Sequence, residues 1–130
     1  MSETEKITIN LGLVDLGQVD LLVQEGFYSN RTDFIRTAIR NQLSTHAEVV
    51  RQTVARKTMV LGLEHYTRRD LEAVKEAGET LEIKVLGLAS IDDDVSPELA
   101  QETISSIVVL GALRASPGVK SALSGRIRSS

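Results

Sequence analysis

The alternation in Lys6–Leu13 constrains this chain more than any other stretch. Ile7, Ile9, Leu11 and Leu13 alternate with Lys6, Thr8, Asn10 and Gly12, the period-two pattern of a half-buried strand. The segments that follow read as helices, so the strand has no neighbour in sequence to pair with. A lone strand can neither bury its apolar side nor pair its backbone amides and carbonyls. Its simplest partner is the same strand from a second copy of the chain.

The two helices are marked by their caps. Asp15 and Gln18 form a D-x-x-Q capping box, which predicts a helix over residues 16–25 with Leu16, Val19, Leu22 and Val23 on one stripe. Gly26 is placed to stop it in the left-handed C′ position. Ser29 and Asn30 are both good N-caps, and Asp33 lies three residues after Asn30, which opens a second helix. Its apolar stripe runs Phe34, Ile35, Ala38, Ile39, Leu43 and continues weakly through Ala47, Val50 and Val54. The helix either runs on toward Ala55 or breaks at Ser44–Thr45.

The polar side of the strand presents an ammonium, a hydroxyl and a carboxamide in a row. Those groups match base edges: lysine for guanine acceptors, asparagine for adenine, threonine for a polar edge or the thymine methyl. A two-stranded ribbon is also one of the few shapes that enter the DNA major groove. On the strand alone, a solvated face of an ordinary sheet is the better reading, and the neighbouring elements change that.

The neighbouring residues carry a resemblance. Strand, short helix, and then Gly26, Ser29, Arg31, Thr32, Asp33, Phe34, Ile35, Arg36, Ala38, Ile39 and Arg40 in register resemble the ribbon–helix–helix family of DNA-binding regulators. The resemblance covers residues 5–45. It implies an intertwined β-α-α homodimer whose paired strands bind double-stranded DNA, with Lys6, Thr8 and Asn10 reading bases. It also implies that Ser29, Asn30, Arg31 and Thr32 grip phosphate, as the free amides and positive dipole end of a helix start would favour. Arg31 is the foremost added charge, Arg36 and Arg40 read equally as solvated helix positions, and Tyr28 is either a phosphate donor or a packed turn aromatic. The departure is LGLVD at 11–15, where many members carry a Leu-Pro step; it leaves the strand register open.

The rest of the chain repeats a triplet. Val60-Leu61-Gly62, Val85-Leu86-Gly87 and Val109-Leu110-Gly111 are 25 and 24 residues apart. Each lies in an apolar run followed by a helix start: Thr67, Ser96-Pro97 and Ser116-Pro117. The middle unit carries four extra residues around Ile91–Val95. Three strand–loop–helix units with a period near 24 predict parallel strands joined by right-handed crossovers, in a solenoid-like stack. A plain three-stranded α/β layer is the alternative, and an ACT-like βαββαβ domain fits the element order poorly. Such a sheet has open edges that invite another chain, and so reads as an assembly module that builds tetramers or larger particles.

The overall expectation is an α+β chain: residues 1–57 a ribbon–helix–helix unit with a helical connector, 58–125 a β-α oligomerisation unit, 126–130 a flexible tail. Composition agrees with a folded protein, with 42% apolar and 25% charged residues. Net charge is −3, but residues 26–57 hold six basic residues against two acidic ones, whereas 58–130 hold eight against eleven. The absence of cysteine removes disulfides and thiolate metal sites. Asp92-Asp93-Asp94 lacks calcium-loop spacing, and His46 and His65 are too few for a metal centre within one chain, so no metal and no cofactor is expected. No small-molecule ligand is evident. No apolar run approaches a membrane span, no signal-peptide region is visible, and a cytoplasmic location is the default. No nucleophile–base constellation appears, so an enzyme is not expected. The functional expectation is a transcriptional regulator, foremost a repressor. An antitoxin and a DNA-linked filament protein are the rivals.

Overall fold

The computed structural model describes residues 4–128 of the chain. It is a mixed α/β protein of two compact units that divide between Thr53 and Val54.

In the front unit α1 spans Leu13–Gln24, α2 spans Arg31–Thr45, and α3 begins at Ala47 and ends at Arg56, past the division. Helix α1 starts three residues earlier than expected. Its N-cap is Gly12, which makes no side-chain cap. The Asp15–Gln18 box is therefore a correction: Asp15 sits in the first turn, where its carboxylate meets the positive helix end, and Gln18 Nε2 donates to the Val14 carbonyl at 3.3 Å. The C-terminus follows expectation. Gly26 has φ +87°, and the amides of Gly26 and Phe27 donate to the carbonyls of Val23 and Leu22, a Schellman closure. The long apolar stripe breaks at His46, which caps α2 and precedes α3.

The back unit contains β1 (Val60–Tyr66), α4 (Arg68–Glu76), β2 (Leu81–Ile91), α5 (Pro97–Thr103), β3 (Ile104–Arg114), α6 (Pro117–Ala122) and β4 (Ile127–Arg128). The strands form one parallel sheet in the order β1-β2-β3-β4. All three helix starts use the caps read from sequence. Thr67 and Asp70 form a full capping box, and the Ser96 and Ser116 hydroxyls accept from the amides of Leu99 and Val119.

The three triplets stack in register: Val60 on Val85 on Val109, Gly62 on Gly87 on Gly111. The glycines have φ +139°, +139° and +115°, and a Cβ on Gly87 or Gly111 would stand 2.1 Å from the carbonyl oxygen of the glycine before it. Only glycine fits that column. The core lies on one side of the sheet. Leu71, Ala100 and Val119 of the three helices close over Ile83, Val85, Ala89 and Ile107, all fully or almost fully buried. The extra residues of the middle unit turn back on themselves and bury Val95 in the same core.

The tail expectation is corrected for residues 126–128. Arg126 Nη1 donates to the carbonyls of Gln101 and Ile104 at 2.6 and 2.8 Å, and its own carbonyl accepts from the Ile107 amide at 2.9 Å. A cation on the open carbonyls at the end of α5 anchors the strand β4 that follows. Ser129 and Ser130 lie outside the described residues.

Candidate nucleic-acid interface

Residues 5–12 form neither helix nor strand within the single chain. Lys6, Thr8 and Asn10 are exposed. So are the apolar residues between them, with Ile7 at 74% and Ile9 at 55%. Ile9 and Leu11 border an open hollow of about 480 Å³, whose floor is built from Val19 and Leu22 of α1 and Phe34, Ile35 and Ile39 of α2. Among the described residues of the front unit, Val19 alone is a buried hydrophobic. The predicted core side chains are thus brought together around a concavity, and the chain itself does not fill it.

The start of α2 is a hydrogen-bonded knot. Asn30 Oδ1 accepts from the Asp33 amide at 2.8 Å. Asp33 Oδ2 accepts from the amide and the hydroxyl of Ser29 at 3.0 and 3.2 Å. The box therefore reaches back one residue further than its sequence spacing indicates. The amides of Arg31 and Thr32 are in the first turn, with no helix carbonyl one turn behind them to receive their hydrogens. Tyr28 is a packed turn aromatic: its ring meets Phe34 edge-to-face with centroids 4.9 Å apart.

Arg31 has a partner that the sequence did not reveal. Its Nε and Nη2 donate to the two carboxylate oxygens of Asp20, each at 2.8 Å. This bidentate pair ties α2 to α1. The hydrogen bond from Arg31 holds the Asp20 carboxyl below its ordinary range, and Asp20 in turn raises the Arg31 guanidinium. Eleven residues of separation across a turn carry no periodic signal, so only the structure exposes the contact. Arg31 thus presents a guanidinium already held by a carboxylate at the mouth of the helix.

In the back unit, His65 at the end of β1 links two residues of the next strand end. Its Nδ1 is hydrogen-bonded to Ser90 Oγ at 2.6 Å, and its Nε2 lies 2.7 Å from Asp92 Oδ1. Among the described residues no His, Cys, Asp or Glu cluster could hold a metal ion, and no helix is long and apolar enough to cross a membrane.

Neither the curated proteins nor the solved structures compared with the chain yielded a match. The family model of the Ribbon-Helix-Helix transcriptional regulator family matches residues 2–120, which takes in both units. The hollow between two capped helices and the polar–apolar segment before them sit inside that span, and the chain belongs to this family of DNA-binding transcriptional regulators.

Proposed function

We propose that two copies of the chain pair their 6–12 segments as an antiparallel ribbon and close each other's hollows, forming an intertwined homodimer. The observation that carries this reading is the uncovered apolar set of the front unit. Ile9, Leu11 and Ile39 at the hollow are all more than 40% exposed, and so is Ile7 earlier in the same segment. An unit with one buried hydrophobic cannot offset the entropy of ordering its own backbone, and a second copy supplies the missing half of the core. Pairing the segments also satisfies their free backbone groups.

In this dimer Lys6, Thr8 and Asn10 project from the outer side of the ribbon into the major groove. The α2 start receives phosphate on the amides of Arg31 and Thr32, with Ser29 and Asn30 shaping the turn and the Arg31 guanidinium, positioned by Asp20, offering the N–H donors that Asp20 leaves open. The regulator represses by occupying promoter DNA in the cytoplasm. The back unit, a stack of three β-α repeats, gathers dimers into tetramers or larger particles, which raises the effective concentration of ribbons on tandem sites. A folded core of eleven buried side chains favours this over an antitoxin tail, which orders itself only on its toxin.

Selection of bound sequences from random duplexes supplies a cognate site. On that site Lys6→Ala and Asn10→Ala each weaken specific binding by ~1–3 kcal/mol and leave the dimer intact, as read by fluorescence anisotropy and light scattering. Unchanged affinity in both variants removes the ribbon from the reading.

A further inference from the structure

A second hollow, of about 300 Å³, is lined by Arg56, Lys57, Thr58, Met59, Lys84 and Val108. All six belong to the back unit, which begins at Val54. The polar side chains are a guanidinium, two ammoniums and a hydroxyl. Each can donate a hydrogen bond, and no carboxylate lines the hollow. The gathering runs against the charge of its surroundings, since residues 54–130 hold ten basic residues against eleven acidic ones. Among the described residues neither Arg56 nor Lys57 has an ion-pair or hydrogen-bond partner. Lys84 Nζ is 3.8 Å from Glu82 Oε2, beyond hydrogen-bonding distance, so that carboxylate does not take up its donors.

Cations at a helix end commonly serve the helix's own open carbonyls. At the end of α3 the backbone does that work. The Thr58 and Met59 amides donate to the carbonyls of Ala55 and Val54 at 3.2 and 3.0 Å, a second Schellman closure. The closure puts Thr58 in the left-handed region at φ +55°, the only non-glycine with positive φ among the described residues. Glycine is usual there and a β-branched residue is an outlier. Strained backbone of this kind clusters at ligand clamps, and this turn brings Arg56, Lys57 and Thr58 to the hollow that Lys84 of β2 also lines.

We infer that the hollow binds a phosphate group. A compact anion rich in acceptor oxygens is the complement of a cationic, donor-rich lining, and guanidinium with ammonium is the pairing that phosphate favours. Met59 and Val108 add an apolar wall on which the carbon part of a phosphate ester can lie, and the volume is at the lower end of small-ligand sites. The ester is either a phosphodiester of the DNA backbone or a free phosphorylated molecule.

Two probes of the full chain separate these sources: inorganic pyrophosphate, followed by titration calorimetry, and a random-sequence duplex, followed by fluorescence anisotropy over a salt series. Lys57→Gln combined with Lys84→Gln should weaken pyrophosphate binding at least tenfold if the ester is a free molecule. If it belongs to DNA, the same pair should reduce the salt slope on the duplex by about one for each hollow engaged. Arg69→Gln combined with Lys120→Gln removes the same charge at exposed positions outside the hollow and should do neither. Lys84→Arg, which keeps the charge, should retain binding. Circular dichroism should stay unchanged throughout, since none of these side chains belongs to the core. The inference is overturned if the Lys57–Lys84 pair moves neither reading, or if the Arg69–Lys120 pair moves them as far. Neither arm uses the cognate site on which Lys6→Ala tests the ribbon, so the hollow and the ribbon stand or fall separately.

Discussion

The two units bury their apolar residues in opposite ways. The back unit closes eleven hydrophobic side chains over one side of its sheet, while the described front unit buries Val19 alone. Yet the front unit has a well-formed cap on α2, a Schellman turn after α1 and a bidentate ion pair. Local structure and a completed core are separate achievements. Caps and turns set where helices begin and end, each worth about a kcal/mol, whereas a core needs enough apolar surface facing inward. The back unit finds that surface within one chain because its three repeats cover one another. The front unit offers half of a core and leaves the other half to a partner.

The sharpest way to break this comparison is at the glycine column. Gly87→Ala forces a Cβ against the Gly62 carbonyl oxygen at 2.1 Å and holds alanine at φ +139°. The strain of that backbone region alone costs ~1–3 kcal/mol, and the collision adds to it. Gly87→Ala should therefore lower the urea midpoint of the back unit far more than Gly62→Ala, which shares the φ but meets nothing within 4 Å. Equal midpoints for the two variants would show that backbone strain, and not strand contact, sets the requirement.

Core truncations separate the units next. Leu71→Ala removes a fully buried side chain and should cost ~2–5 kcal/mol, with the same loss of structure at every protein concentration. Ile35→Ala opens the wall of the hollow and should act through association instead. Its helical signal should fade on dilution and return at high concentration. Concentration-independent melting of Ile35→Ala would mean that the front unit completes its core alone.

How much of this was legible in the chain depends on the range of each signal. The V-L-G triplets, the Ser-Pro starts and Gly26 are local backbone requirements, so they could be read directly. The start of α1 was misplaced because Asp15 is a good cap as well as a good first-turn residue, and Leu13 and Val14 lengthen the helix at no cost. Arg31–Asp20 and β4 were invisible for another reason. Both depend on residues brought together by the fold: Arg126, for example, finds its carbonyls 22 and 25 residues back. The partner of segment 6–12 was legible only as a need.

Arg126 makes that last kind of contact testable. Arg126→Ala deletes two charge-assisted hydrogen bonds to backbone carbonyls and should destabilise the back unit by ~1–3 kcal/mol, with faster amide exchange at Ile107 as β4 frays. Arg126→Lys should recover part of the loss, since an ammonium reaches one carbonyl more readily than two.

The smallest expected effect is one of pH, and it compares the units through matched carboxylates. Asp20 in the front unit is held below its usual value of 3.8 by the hydrogen bond from Arg31. Asp70 in the back unit is held below the same value, first by the hydrogen bond from the Thr67 amide and then by the Thr67 hydroxyl. A carboxyl whose folded value is depressed binds fewer protons folded than unfolded, so its stabilisation is present above pH 4 and drains away as pH falls through the folded value. Both groups are exposed, so each contribution is small and salt-sensitive. Asp20→Asn should flatten the acid limb of front-unit helicity and leave the back unit's limb in place, and Asp70→Asn should do the reverse. Added salt should then weaken the Asp20 effect more than the Asp70 effect, because an ion pair is screened where a short hydrogen bond to a backbone amide is not. If one substitution moved both limbs together, the two units would be unfolding as one.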